Sequence, residues 1–171
     1  MIESLRLWAR YNHSTDEKVN ALLDQLDAAD YTKERNTYYN SLAGLHLHIV
    51  QTYKFYQGML RTNSNDRYLV SPLTDPDYEV RPAPLAEVSR LALEYDKLFA
   101  VFAGQVTEAD LTGPKVPRTM RSGKTYLLSL GDIASQYWNH AVHHRGQLSQ
   151  LLDELGIEHD IGGLLAYAEE Q

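Results

Sequence analysis

The sequence predicts an all-α fold built as a four-helix bundle. Four long segments carry apolar residues at helical spacing, period-two alternation is almost absent, and a proline-rich stretch separates the second segment from the third. That stretch is long enough to cross between helices at opposite ends of a bundle. At 171 residues, 43% of them hydrophobic and 23% charged, the chain is sized for one ordinary domain, so residues 1–171 are read as a single unit. No internal repeat is visible.

The first helix is expected over about residues 2–29, where Leu5, Trp8, Asn12, Thr15, Val19, Leu22 and Leu26 recur at steps of three and four. Its polar run from Asn12 to Ser14 predicts a kink or interruption. Residues 31–36 are polar and read as a connection. A second helix is expected from about Thr37 to Leu60, with Leu42, Leu45, Ile49, Tyr53, Tyr56 and Leu60 on one stripe. It should stop at Thr62-Asn63-Ser64-Asn65-Asp66, a cluster of turn formers.

From Asp66 to Pro84, four prolines (Pro72, Pro76, Pro82 and Pro84) remove backbone donors and push preceding residues out of helical geometry. Leu85, Val88, Ala92, Tyr95, Phe99 and Phe102 then mark a third helix closing near Gly104. Gly113, Pro114, Pro117 and Gly123 predict a loop or short hairpin over residues 112–126. The fourth helix starts at about Leu130 or Asp132 and carries Ile133, Tyr137, Ala141, His144, Leu148, Leu151 and Leu155 on its stripe. Gly156 suits the left-handed cap that ends it. A last short helix is expected around Leu164 to Ala168.

The net charge of −7 and a pI near 5.4 argue against a nucleic-acid partner, which normally meets a basic face. Lys115, Arg118, Arg121 and Lys124 cluster locally and read as a solvated loop. With no cysteine, the chain offers no disulfide, thiolate ligand or cysteine nucleophile. No segment approaches the roughly 18 apolar residues of a membrane span, and the N-terminus lacks a basic region followed by an apolar run. A cytoplasmic protein without membrane contact is expected.

His140 and His144 stand one turn apart on the fourth helix, and residues four apart share a helix face. The pair can grip one divalent ion, but an open zinc-type site usually takes three protein ligands. A third ligand should come from a facing helix. His48, on a stripe of the second helix with Ser41, Leu45 and Thr52, is the best candidate; His46 and His143 compete for the same place but point about 100° away per residue. Imidazole ligands suit zinc, nickel, copper or iron, whereas magnesium and calcium prefer oxygen. His13 and His159 lie near element boundaries and read as solvated.

Arg145 and Gln147 follow the second ligand and are placed to bond loops or a partner subunit, and Gly146 suggests close helix approach. Tyr53 and Tyr137 are candidate pocket donors. Other motifs fail. Gly123-Lys124-Thr125 lacks the first glycine of a phosphate-binding loop, Ala141 stands where a His-Glu-x-x-His protease needs glutamate, and no serine has the spacing of a nucleophile.

The run His140-Ala141-Val142-His143-His144-Arg145-Gly146-Gln147-Leu148, continuing to Leu151-Leu152-Asp153-Glu154-Leu155-Gly156, closely resembles the last bundle helix of the DinB family. Ser41-Leu42-Ala43-Gly44-Leu45-His46-Leu47-His48-Ile49 resembles that family's second-helix motif, and the resemblance covers nearly the whole chain. It implies an up-down-down-up bundle with a long crossover, frequent homodimerisation, and nickel or zinc on His48, His140 and His144. Members include transferases and isomerases that use low-molecular-weight thiols. The DNA polymerase sharing the name has an unrelated fold, so DNA repair does not follow. Two functions are therefore set against each other: a metal-dependent transferase or hydrolase acting on a small molecule, and a non-catalytic metal-binding or stress-response module. No side chain is identifiable as general acid or base.

Overall fold

The structure is a computed structural model that describes residues 1–120, 122–161 and 163–169. It is mostly helical, with one small two-stranded sheet. The long helices are α1 (Ile2–Leu23), α3 (Leu42–Asn63), α4 (Leu85–Gln105) and α6 (Leu130–Glu154). Short helices α2 (Ala28–Thr32), α5 (Glu108–Leu111) and α7 (Leu164–Glu169) fill the connections. Strands β1 (Val116–Thr119) and β2 (Thr125–Leu128) pair antiparallel, with Val116 opposite Leu128 and Thr119 opposite Thr125. This is the hairpin that the glycines and prolines of that region predict.

The apolar stripes decide the packing. α1 packs on α4 and α6, and α3 packs on α4 and α6. Leu5 and Val19 of α1, Leu45, Ile49 and Tyr53 of α3, Val88, Tyr95, Phe99 and Phe102 of α4, and Ile133, Tyr137, Ala141 and Leu148 of α6 are all buried. Tyr137 lies at the centre, its ring 4.2 Å from Phe99 and 5.1 Å from Tyr53 between centroids. Aromatic pairs at such spacing add roughly 0.5–1.5 kcal/mol beyond the area they bury.

Several boundaries differ from the sequence expectation. α1 runs without a break through Asn12 to Ser14, because Asn12 turns inward and finds partners in the core rather than breaking the helix. It stops at Leu23, and Tyr31 belongs to α2, whose Asp27 side chain accepts from Asp30 N; the region is not a plain connection. α3 starts at Leu42 rather than Thr37, since Ser41 caps it by accepting from Gly44 N at 3.0 Å. The proline-rich crossover contains a 3₁₀ turn, Pro72–Thr74, docked on α3 and α4 through a bond from Tyr95 Oη to Leu73 O.

α6 is fixed at both ends. Ser129 and Asp132 form a capping box at its start. At its end Gly156 has φ +70°, its N–H bonds Asp153 O, and Ile157 N–H reaches back to Leu152 O, the bond pattern of a Schellman cap. The basic loop is less free than expected. Arg118 bonds Asn63 Oδ1 and Lys115 lies 3.4 Å from Asp132; Arg121 is outside the described residues. No helix among the described residues is long and apolar enough to cross a membrane.

Candidate metal centre

His48 projects from the middle of α3, and His140 and His144 project from successive turns of α6, the helix packed against it. Their three Nε2 atoms converge. His144 Nε2 lies 3.2 Å from His48 Nε2 and 3.3 Å from His140 Nε2, and the three side chains form a group that could hold a metal ion, with all ligand atoms within 4.8 Å. Tetrahedral nitrogens at the usual zinc–nitrogen distance of roughly 2.0–2.1 Å would sit about 3.3–3.4 Å apart. The short edges of the triangle match that spacing.

Hydrogen bonding alone does not account for the arrangement. His144 Nδ1 donates to Gln147 Oε1 at 2.7 Å, which leaves Nε2 as the lone-pair nitrogen of that ring. His48 and His140 both aim at this one atom. A single lone pair cannot accept two N–H groups well, whereas a cation between the rings would use all three. Burial pushes His48 and His140 down to about 4, with the neighbouring imidazoles adding to the shift. Burial lowers His144 as well, against the opposing bond to Gln147. All three are therefore neutral at pH 7, the state in which imidazole ligates.

Two tyrosines flank the group. Tyr39 stacks on His48 at 4.3 Å between centroids and meets His144 edge-on at 5.4 Å. Tyr56 meets His140 edge-on at 5.6 Å. Tyr39 is set in place by the start of α3: a Cβ on Gly44 would lie 2.1 Å from Tyr39 O, so only glycine lets the segment before the helix approach so closely. The sequence reading singled out neither Tyr39 nor Tyr56 for the site. Tyr39 precedes the helix and carries no periodic signal, while Tyr56 was assigned to packing.

The other candidates fall elsewhere. His46 is buried, bonded through Nδ1 to Tyr31 Oη at 3.1 Å, and pushed by burial down to about 4; it belongs to the α2–α3 contact. His143 is exposed and touches the group only through its ring, 4.9 Å from that of His144. His13 and His159 are not freely solvated. His13 Nδ1 approaches buried Asp96 at 3.7 Å, and His159 bonds Ser149 O at 3.2 Å with only 10% of its side chain exposed. Because His159 uses Nε2 for both Ser149 and Asp153, the three are not arranged as a nucleophile, base and orienting acid.

Arg145 and Gln147 also differ from expectation. Neither serves a loop: Arg145 is buried and donates to Asn12 Oδ1, and Gln147 holds His144. The spacing of three from His144 to Gln147 was the available signal. Tyr53 and Tyr137 pack inside the core, Tyr53 donating to Asp16 Oδ2 at 2.6 Å and Tyr137 Oη accepting from Gln57 Nε2 at 3.4 Å. Gly146 has nothing within 4 Å of an added Cβ, so it does not mark a helix contact.

Fixing the ring and tautomer of a metal-binding histidine typically matters 10- to 100-fold in metal affinity. Gln147→Leu should accordingly weaken nickel or zinc binding by about one to two orders of magnitude with little change in the far-ultraviolet circular dichroism. Competition with a chromophoric chelator measures it, and unchanged affinity would remove Gln147 from the site.

Compared with known families, residues 1–171, the whole chain, match the model of the DinB family. No curated protein matches.

Proposed function

Since the chain belongs to the DinB family, we propose that it is a divalent-metal enzyme whose ligands are His48, His140 and His144 and whose remaining coordination position is open to a small-molecule substrate. Nickel or zinc is the expected ion, and the reaction is thiol-dependent transfer or hydrolysis. The convergence of three neutral Nε2 atoms carries this reading. When bound, the ion supplies Lewis-acid chemistry. The chain's own part is to present three lone pairs from two helices, to hold the His144 ring through Gln147, and to wall the rings with Tyr39 and Tyr56.

Among the described residues the group holds no carboxylate, which favours transfer over a hydrolysis that needs a nearby general base. Any thiol must be a separate low-molecular-weight molecule, because the chain has no cysteine. The same reading takes residues 1–171 as one up-down-down-up four-helix bundle with a long crossover, acting as a cytoplasmic homodimer and without nucleic acid.

The cobalt(II)-substituted protein tests the open position. Titration with 2-mercaptoethanol should shift its visible absorption bands as the thiolate enters the coordination sphere. A spectrum unmoved by thiol or by azide would identify a closed centre that ties α3 to α6, the non-catalytic alternative.

A further inference from the structure

A cavity of about 380 Å³ lies between α3, α6 and the hairpin, one helical turn from His140. Tyr56 joins the two places, since its ring lines the cavity and also meets the His140 ring. Gln136, four residues before His140 on the same face of α6, lines it as well. The volume is at the lower end of the roughly 300–1,000 Å³ usual for small-molecule pockets.

Its lining states what it can take. Met59 and Met120 face it together with Leu128, Ile133 and the ring of Tyr126, so most of the wall is apolar, aromatic or thioether. Thioethers adapt their shape and make favourable contacts with ring edges. No lysine or arginine is among the described residues that line it. Among the described residues that line it, the ionised group is Asp132, whose carboxyl is held below the usual range by bonds from Ser129 and lies 3.4 Å from the ammonium of Lys115, which does not itself line the cavity. An anion would be desolvated against a mostly apolar wall in which no described residue is a cation, Lys115 being engaged by Asp132. The polar handle is the pair Tyr56 and Gln136, where Gln136 Nε2 approaches Tyr56 Oη at 3.5 Å and leaves the phenol proton free for a ligand acceptor.

A second cavity, of about 450 Å³, lies on the opposite flank, where Gln147, Gln150 and Glu154 share the lining with Tyr38, Tyr39, Leu45 and Leu151. We propose that the cavity under the hairpin holds the body of the substrate, and that this substrate is a neutral molecule built on an aromatic ring or compact alkyl group. Its single polar function points past Tyr56 toward the three histidines. The inference rests on the metal-enzyme reading only for the direction of that polar function; the choice of a neutral apolar occupant rests on the wall itself.

The chain supplies its own reporters. Of its three methionines, Met59 and Met120 line the cavity and Met1 does not. Benzyl alcohol, benzoate and benzylammonium, titrated separately into metal-free protein labelled at the methionine methyl carbons, should give different results. Benzyl alcohol should move the Met59 and Met120 signals, assigned with Met59→Leu and Met120→Leu, and leave Met1 in place; benzoate should bind at least about tenfold more weakly, because its carboxylate would be desolvated against a mostly apolar wall. Benzoate binding as well as the alcohol, or ring ligands that move neither methionine, would overturn the proposal. A repeat with the nickel-loaded protein reads the connection to the centre through broadening of the hydroxymethylene protons of bound benzyl alcohol. If the protein takes up no nickel, the metal reading fails while the metal-free titration still decides the cavity.

Discussion

Alanine at His48, His140 or His144 should each abolish stoichiometric metal binding, where the wild-type chain, purified without an affinity tag and reconstituted with nickel or zinc, holds close to one ion. The reason is in the triangle of Nε2 atoms. His144 stands 3.2 and 3.3 Å from its two neighbours, so removing any ring leaves two donors and opens the site to water. Loss of an orienting partner alone costs 10- to 100-fold, so loss of a ligand should exceed about a hundredfold. His46→Ala and His143→Ala are the matched controls. His143 is exposed and should leave occupancy unchanged; His46 is buried against Tyr31, so its replacement should lower stability without releasing the ion. Elemental analysis of the variants after gel filtration reads all five. Retention of a full equivalent by any of the three ligand variants would remove that histidine from the centre, and an empty wild type would reduce the group to packing.

The helical frame was legible because burial in a helix writes a period of three to four into the sequence. The stripe of α6 from Ile133 to Leu155 reads directly onto the buried face, and Gly156 ends it as expected. The ends of α1 and α3 were less legible. Asn12 in mid-helix looks like a break, and only the partners brought by α3, α4 and α6 make it a core residue. Of the site, the spacing of His140 and His144 and the inward stripe holding His48 were visible, because ligands on packed helices obey the same period as the core. Tyr39 was not, since its place depends on the close approach of its carbonyl to Gly44, a contact without periodicity. Gln147 was noticed and given the wrong partner: its spacing from His144 places it correctly, but which side of the ring it serves is a matter of rotamer.

The largest loss of stability should come from Arg145, behind the metal-facing surface of α6. Its guanidinium is buried between helices, donates to Asn12 Oδ1 at 2.5 Å, lies 3.9 Å from Asp16 and covers the rings of Tyr11 and Trp138. Asp16 and Asp96 are both buried beside it, with Asn12 donating to Asp96 Oδ1 and Tyr53 to Asp16 Oδ2. Arg145→Met keeps most of the volume and removes the guanidinium beside two buried carboxyls, a change that typically costs about 3–5 kcal/mol. Burial, and then the nearby Asp96, pushes the Asp16 carboxyl up to about 7 even with Arg145 opposing, and burial raises Asp96 too. His13 is raised through its contact with Asp96. A group raised on folding stabilises the fold fully below its unfolded pKa, near 4 for an aspartate, and loses that contribution as pH rises through the folded value. The two aspartates and His13 should therefore contribute a fall in stability between pH 5 and pH 8, set against the rise that His46, His48, His140 and His144 give below about pH 7, because burial lowers their folded values. Asp16→Asn should flatten that fall, and Arg145→Met should steepen it, because Asp16 then ionises with no cation beside it. Urea denaturation with chelator present, so that bound metal does not contribute, gives the free energies at both pH values. The Asp16→Asn, Arg145→Met double variant should lose less than the sum of the two single variants, as expected for groups that touch. Strict additivity, with a pH dependence unchanged in Asp16→Asn, would show that the two charges do not act on each other.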